Sequence, residues 1–141
     1  VSLAVSVATD GVRIPLARAR VASIARAALR AERVRDAMIS IAFVPRAAIA
    51  RLNRRYLGHV GATDVISFAF GDPLVGDIYI SPDVARRNAR KYGVGVREEL
   101  ARLVIHGVLH VTGHDHPDDA RGASPMWKRQ ERLVRRAVSS T

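Results

Sequence analysis

Val65-Ile-Ser-Phe-Ala-Phe-Gly71-Asp72-Pro73-Leu-Val75-Gly-Asp77-Ile-Tyr-Ile80-Ser81-Pro82-Asp83 is the stretch that settles how this chain folds. Two runs rich in β-formers, Val65–Phe70 and Val75–Ile80, flank a Gly71-Asp72-Pro73 turn, the pattern of a hairpin. Ser81-Pro82-Asp83 then starts a helix. Serine caps it, proline fits its first turn, and aspartate suits its positive end.

Upstream of this stretch, Val1–Val7 alternates, with Val1, Leu3, Val5 and Val7 on one side, and reads as a strand with one buried face. Asp10-Gly11 turns the chain. Pro15 is expected in the first turn of a helix running to about Ala31, with Leu16, Ile24, Ala28 and Leu29 in its apolar stripe. Met38–Val44 alternates Ile39, Ile41 and Phe43 and makes a second strand, ended by Pro45. A short helix, about Ala47–Tyr56, should turn Ile49, Leu52 and Tyr56 inward and leave Arg51, Arg54 and Arg55 to solvent. Gly58–Ala62 is a flexible connection into the hairpin.

Downstream, the helix opened by Ser81 runs to about Tyr92 and gathers Arg86, Arg87, Arg90 and Lys91 on one face. Gly93 and Gly95 break it. Val96–Thr112 forms the next helix, with Leu100, Leu103, Val104 and Val108 for the core. Ser124-Pro125 starts a last helix through about Val138, burying Met126, Leu133, Val134 and Ala137 and exposing Lys128, Arg129, Arg132, Arg135 and Arg136. Strands alternating with helices, with one hairpin among them, give an α/β (α+β) fold. The chain reads as a single domain over residues 1–141, with a four-stranded mixed β-sheet and about five helices. Strand order does not follow from these patterns.

With 141 residues and 48% hydrophobic content the chain can bury one real core and is not disordered. Its formal net charge of +10 rests on 23 Lys+Arg, nearly all arginine. That balance favours a polyanionic partner, and the planar guanidinium fork suits phosphate. An arginine-rich genome is the bland alternative. No cysteine is present, which excludes disulfides and thiolate metal sites and fits a cytoplasmic protein. No segment approaches the ~20 apolar residues of a membrane span. The first residues lack the basic start and long apolar centre of a signal peptide.

The chemistry is concentrated in Leu103–His116, where four of the five histidines fall within eleven residues. His106 and His110 are four apart and share one helical face. Gly113 is a natural stop for that helix, after which the chain can turn back toward the pair. Three imidazoles from a helix and the turn after it make a transition-metal site, zinc above all. Of His114 and His116, one is expected to reach the metal. Three protein ligands leave a fourth position open, as in catalytic rather than structural zinc. Asp115 or Asp77 is a candidate to hold the second nitrogen of a ligand histidine, with turn capping the alternative for either. The glutamate that follows the first histidine in His-Glu-x-x-His proteases is replaced by Gly107, so the usual peptide-cleaving base is missing. A glycine there implies close approach by another backbone or by a bulky substrate.

These residues carry a family resemblance. His106-Gly-Val-Leu-His110-Val-Thr-Gly113-His-Asp115-His116 resembles the H-G-x-L-H-L-x-G-Y-D-H signature of the YbeY family, the bacterial endoribonucleases of ribosomal RNA maturation. Leu52-Asn53 with Tyr56, Thr63-Asp64-Val65-Ile66-Ser67-Phe68, Gly76-Asp77-Ile78-Tyr79-Ile80-Ser81, Glu99-Leu100, and Met126 with Glu131 follow in the family's order. The resemblance implies one zinc ion held by His106, His110 and His116. It also implies a single-strand-directed hydrolase of RNA, acting at the 3′ end of small-subunit ribosomal RNA and in ribosome quality control, with the small ribosomal subunit as partner. Two positions depart from the family: His114 stands where it usually has tyrosine, and Leu57 where many members carry an arginine. Either Arg54 or Arg55 substitutes for that arginine, or the chain belongs to a branch that works without it.

Cleaving a phosphodiester needs a nucleophile, a cation on the developing charge, and a cradle for the flanking phosphates. The candidate catalytic set is therefore Arg54 and Arg55 for phosphate contact, His59 as acid or base, and Asp115. Aromatics make up 5% of the chain, so stacking of several bases is not an obvious mode of recognition. A competing reading is an RNA- or ribosome-binding assembly factor whose zinc is mainly structural.

Overall fold

The computed structural model describes residues 2–115 and 124–139. The strands are β1 (Leu3–Thr9), β2 (Ala37–Phe43), β3 (Val65–Phe70) and β4 (Leu74–Ile80). The helices are α1 (Arg18–Ala31), α2 (Arg46–Leu57), α3 (Pro82–Tyr92), α4 (Val96–Val111) and α5 (Pro125–Ser139). The four strands form one sheet in the order β1-β2-β4-β3. β1 and β4 run parallel to β2, and β3 pairs antiparallel with β4. The expected α/β fold with a mixed sheet and five helices is what forms, and the hairpin supplies its antiparallel edge.

Side-chain alternation divides the sheet into two faces. Ile39, Ile41 and Phe43 of β2 and Ile78 and Ile80 of β4 point to one side, where they are buried with Leu29 of α1 and Leu100, Val104, Val108 and Leu109 of α4. On the other side a smaller cluster of Val44, Ile49 and Ile66 seats α2, with Phe68 and Tyr79 packed against it. β3 is thus shared: α4 packs on it from one face and α2 from the other.

The first helix departs from its sequence reading. α1 begins at Arg18, and Pro15 lies in an extended lead-in rather than in its first turn. Val12, Ile14 and Leu16 alternate toward the core through this lead-in, a period of two that belongs to extended chain. Two distant arginines hold it there. Arg86 donates to the Arg13 carbonyl at 2.9 Å and Arg97 to the Pro15 carbonyl at 2.9 Å. β1 is displaced too, ending at Thr9 rather than Val7, because its parallel register with β2 runs on to Thr9↔Phe43. Val1 lies outside the described residues. Ser81 caps α3 as its sequence suggests, its hydroxyl oxygen accepting from the Val84 amide at 3.3 Å.

Two glycines set how closely α4 approaches the sheet. A Cβ on Gly107 would stand 2.7 Å from Cγ2 of Ile78, and one on Gly76 would stand 3.2 Å from the Val111 side chain. The neighbour that comes close at Gly107 is the Ile78 side chain of β4, rather than the backbone or substrate expected there. Ile78 is fully buried and has no room to yield. Gly107→Ala should therefore cost about 1–3 kcal/mol by overpacking. At this chain length that lowers the melting temperature by roughly 2–4 °C per kcal/mol in thermal unfolding. An unchanged melting temperature would show that α4 can lift from β4 freely.

Candidate functional site

The last two turns of α4 carry the histidine pair. The apolar residues around it are driven into the core, so Leu103, Val104, Ile105, Val108 and Leu109 are buried while His106 and His110 remain half-exposed. Their rings lie one turn apart, with centroids 4.6 Å from each other and planes at 72°. The helix closes on Thr112, and Gly113 takes a φ of 108°, which its missing side chain permits. The Gly113 amide donates to the His110 carbonyl at 3.0 Å and the His114 amide to the Leu109 carbonyl at 2.9 Å, so the turn folds back on the helix end.

His106 is oriented from α5. Its Nδ1 lies 2.7 Å from Oε1 of Gln130, a residue that is 1% exposed. An amide oxygen only accepts, so this contact calls for a hydrogen on Nδ1, which would leave the ring's lone pair on Nε2. The second nitrogen of this histidine is thus held by Gln130, not by Asp77 or Asp115. Asp77 points to the other face of β4, where it accepts from the Ser40 hydroxyl at 2.6 Å. Asp115 stands exposed just beyond the turn. Gln130 escaped the sequence reading because glutamine is not a metal ligand. The signal that could have found it is a polar residue falling in the apolar stripe of α5, between Met126 and Leu133 and Val134.

His114 is committed elsewhere. It meets the carboxylate of Glu32, just past the end of α1, and the same carboxylate takes Arg129 of α5, which also donates to the Ala31 carbonyl at 2.9 Å. Arg129, expected on an open basic face, is instead half-buried in this junction. His116 lies outside the described residues. Among the described residues no three His, Cys, Asp or Glu side chains gather as a metal site requires. The pair that is present nevertheless fits zinc. Two imidazole donors sit at one-turn spacing, and one has its lone pair set on Nε2 by an acceptor at Nδ1.

The remaining candidates belong to α2 and the loop after it. Arg54 and Arg55 are exposed in its last turn, and the Arg55 guanidinium lies 5.3 Å over the Tyr56 ring. With Ala48, Arg51, Leu52 and Tyr56 they line an open groove. Leu57 ends the helix and is exposed beside Arg54, three residues earlier on the same face. His59 is exposed on the loop, which Asn53 steadies by donating its side-chain amide to the Gly61 carbonyl at 3.0 Å. Asn53 is buried, and the sequence placed it in a family block without assigning it this tether. The structure brings His106 and His110 together on one side of the sheet, whereas α2 packs on the opposite face.

Tyr56, expected to turn inward, is 54% exposed. It meets Phe68 edge-on at 5.4 Å, and Phe68 meets Tyr79 at 6.3 Å, so a chain poor in aromatics collects three of them at one place. Burial, then the charge of Asp77, then Tyr56 raise the Tyr79 hydroxyl pKa above its ordinary value. Among the described residues no helix is long and apolar enough to cross a membrane.

Comparison with known proteins agrees with this fold. The solution structure of a Thermotoga maritima protein superposes with a TM-score of 0.66 over 96% of this chain and 90% of that one, and its 24% identity speaks to the fold alone. Endoribonuclease YbeY of Moorella thermoacetica is 43% identical over 113 residues, covering 70% of this chain and 72% of its own. Endoribonuclease YbeY of Frankia alni is 37% identical over 94% of this chain and 81% of its own. The family model for endoribonuclease YbeY matches residues 8–138, from the end of β1 almost to the end of α5. The chain belongs to the endoribonuclease YbeY family.

Proposed function

We propose that this protein is a zinc-dependent endoribonuclease that cuts single-stranded RNA. Its role is maturation of the 3′ end of small-subunit ribosomal RNA and ribosome quality control in the cytoplasm, with the small ribosomal subunit as its partner. The observation that carries the reading is the His106–His110 pair, one turn apart on α4 with His106 held by Gln130, in a chain of this family. His106, His110 and His116 would hold the zinc. When bound, it would supply positive charge for the developing phosphorane oxygens and lower the pKa of a water.

The chain's own residues do the rest. Gln130 fixes which nitrogen His106 presents. Gly107 keeps α4 seated on β4, which holds the spacing of the two imidazoles against the sheet. Arg54 and Arg55 are exposed on the helix that covers the opposite face of the sheet, and in this reading they take backbone phosphates that flank the cut rather than the reacting one. Arg54 shares a helical face with Leu57, so it is the natural stand-in for the arginine that relatives carry there, whereas Arg55 is drawn over Tyr56. His59 is exposed on a tethered loop and is the proposed proton carrier, and Asp115 ends the turn beside the site. The exposed faces of α3 (Arg87, Arg90, Lys91) and α5 (Lys128, Arg132, Arg135, Arg136) add a positive field for steering a polyanion.

The direct test is cleavage of a single-stranded RNA by zinc-loaded and metal-stripped protein. Cleavage should require the metal, and full activity in stripped protein would reject the reading. Binding without any cleavage would favour an assembly factor with structural zinc. For the arginines, the double substitution Arg54→Ala with Arg55→Ala should weaken RNA binding across sequences. It should also flatten the plot of log affinity against log salt by about 1.4, at roughly 0.7 per lost phosphate contact on a single strand. An unchanged salt slope would take both residues out of the phosphate cradle.

A further inference from the structure

A connected set of hydrogen bonds runs from the start of α4, across to α5, and back to His106. Arg102 donates to Glu99 at 2.9 Å, to Glu98 at 3.0 Å, and to both oxygens of Glu131 at 2.9 Å. The side-chain amide of Gln130 donates to the Glu131 carboxylate at 3.2 Å, and its oxygen faces Nδ1 of His106 at 2.7 Å. Arg102, Glu99 and Gln130 are buried. The chemistry at one end dictates the direction of the rest. Arginine has no acceptor, and an ionised carboxylate has no donor. Glu131, paired with Arg102, must therefore receive from Gln130, which turns the glutamine NH2 toward Glu131 and its oxygen toward the histidine. That oxygen in turn requires a hydrogen on Nδ1.

The geometry points to Gln130 and Glu131 as positioning residues that select the Nδ1–H tautomer of His106 and present Nε2 before any metal arrives. Glu131 sets which way the amide faces, and Gln130 passes that polarity to the imidazole. Both act through His106 rather than on substrate. The inference rests on the proposed role of His106 as a metal ligand. It extends that proposal by saying why α5, which lacks histidine, belongs to the site.

The test uses metal-free full-length protein labelled with 15N-histidine, whose nitrogen shifts report the tautomer, together with zinc affinity measured by chelator competition. Wild type should show one tautomer at His106, protonated on Nδ1. Gln130→Met keeps the volume and removes the acceptor. It should give a tautomer mixture and weaken zinc binding about 10–100-fold. Glu131→Gln removes the carboxylate that fixes which way the Gln130 amide faces and should likewise give a tautomer mixture. A Gln130→Met protein that retains the single Nδ1–H tautomer overturns the proposal, even if zinc binding falls. Should that variant fail to fold, a single Nδ1–H tautomer retained in Glu131→Gln would overturn it equally. If zinc leaves the His106 shifts of wild type untouched, the ligand assignment fails instead, and the metal-free spectra still decide the tautomer.

Discussion

Replacing His110, a proposed zinc ligand, with alanine is expected to abolish zinc binding and cut RNA cleavage on the order of 10³-fold. The size follows from what a bound cation contributes to a phosphoryl transition state, several kcal/mol, with each 1.4 kcal/mol worth a factor of ten. His110 is half-exposed and meets the His106 ring edge-on, so its removal opens little of the core. Thermal unfolding of the metal-free variant should stay close to that of metal-free wild type, which separates loss of metal from loss of fold. Metal content by atomic emission and cleavage of a single-stranded RNA are the measurements. A variant that keeps full cleavage without bound zinc would remove the metal from the reaction.

Arg102→Met should destabilise the protein by about 3–5 kcal/mol, the usual cost of stripping one partner from a buried ion pair. Glu99 is fully buried and receives Arg102 at 2.9 Å, so the variant leaves a carboxylate inside the core without that guanidinium. Burial by itself works against the arginine's charge. Hydrogen bonds from Arg102 to Glu131, Glu99 and Glu98 outweigh it and hold the guanidinium pKa above its ordinary value. Chain length converts the loss to a fall in melting temperature of roughly 2–4 °C per kcal/mol. Urea unfolding gives the free energy directly. Adding Glu99→Leu should recover most of the loss, because an apolar pair in place of a buried ion pair is often neutral or better. A single variant within about 1 kcal/mol of wild type would mean that the surroundings relax enough to hydrate Glu99. Either outcome bears on the site, since the same arginine anchors Glu131 and, through it, Gln130.

The sequence was most legible where one local pattern decides one local structure. Alternation in β2 named Ile39, Ile41 and Phe43 as inward, and they are buried. Ser81-Pro82 placed the start of α3, and His106 and His110 at four residues apart had to share a helical face. Reading failed where a distant partner overrides the local signal. Pro15 is a good first-turn residue, but carbonyl bonds from Arg86 and Arg97 keep its segment extended. Arg129 looks like one more surface cation until Glu32, from the end of α1, takes it. Tyr56 fits an apolar stripe, yet the sheet beneath α2 offers it the edge of Phe68 and leaves it half in solvent.

By itself the sequence determined the elements, the mixed α/β class and the two imidazoles on α4, because helix and strand periodicity act within a few residues of each other. The tertiary structure alone decided the strand order β1-β2-β4-β3, the Gly107–Ile78 approach that seats α4, and the choice of Gln130 as the partner of His106. Each of these depends on which surfaces meet across the sheet or between helices far apart in the chain. A hydrogen bond spanning 24 residues leaves in the amino-acid order only a polar residue out of place in the α5 stripe, and nothing there names its partner.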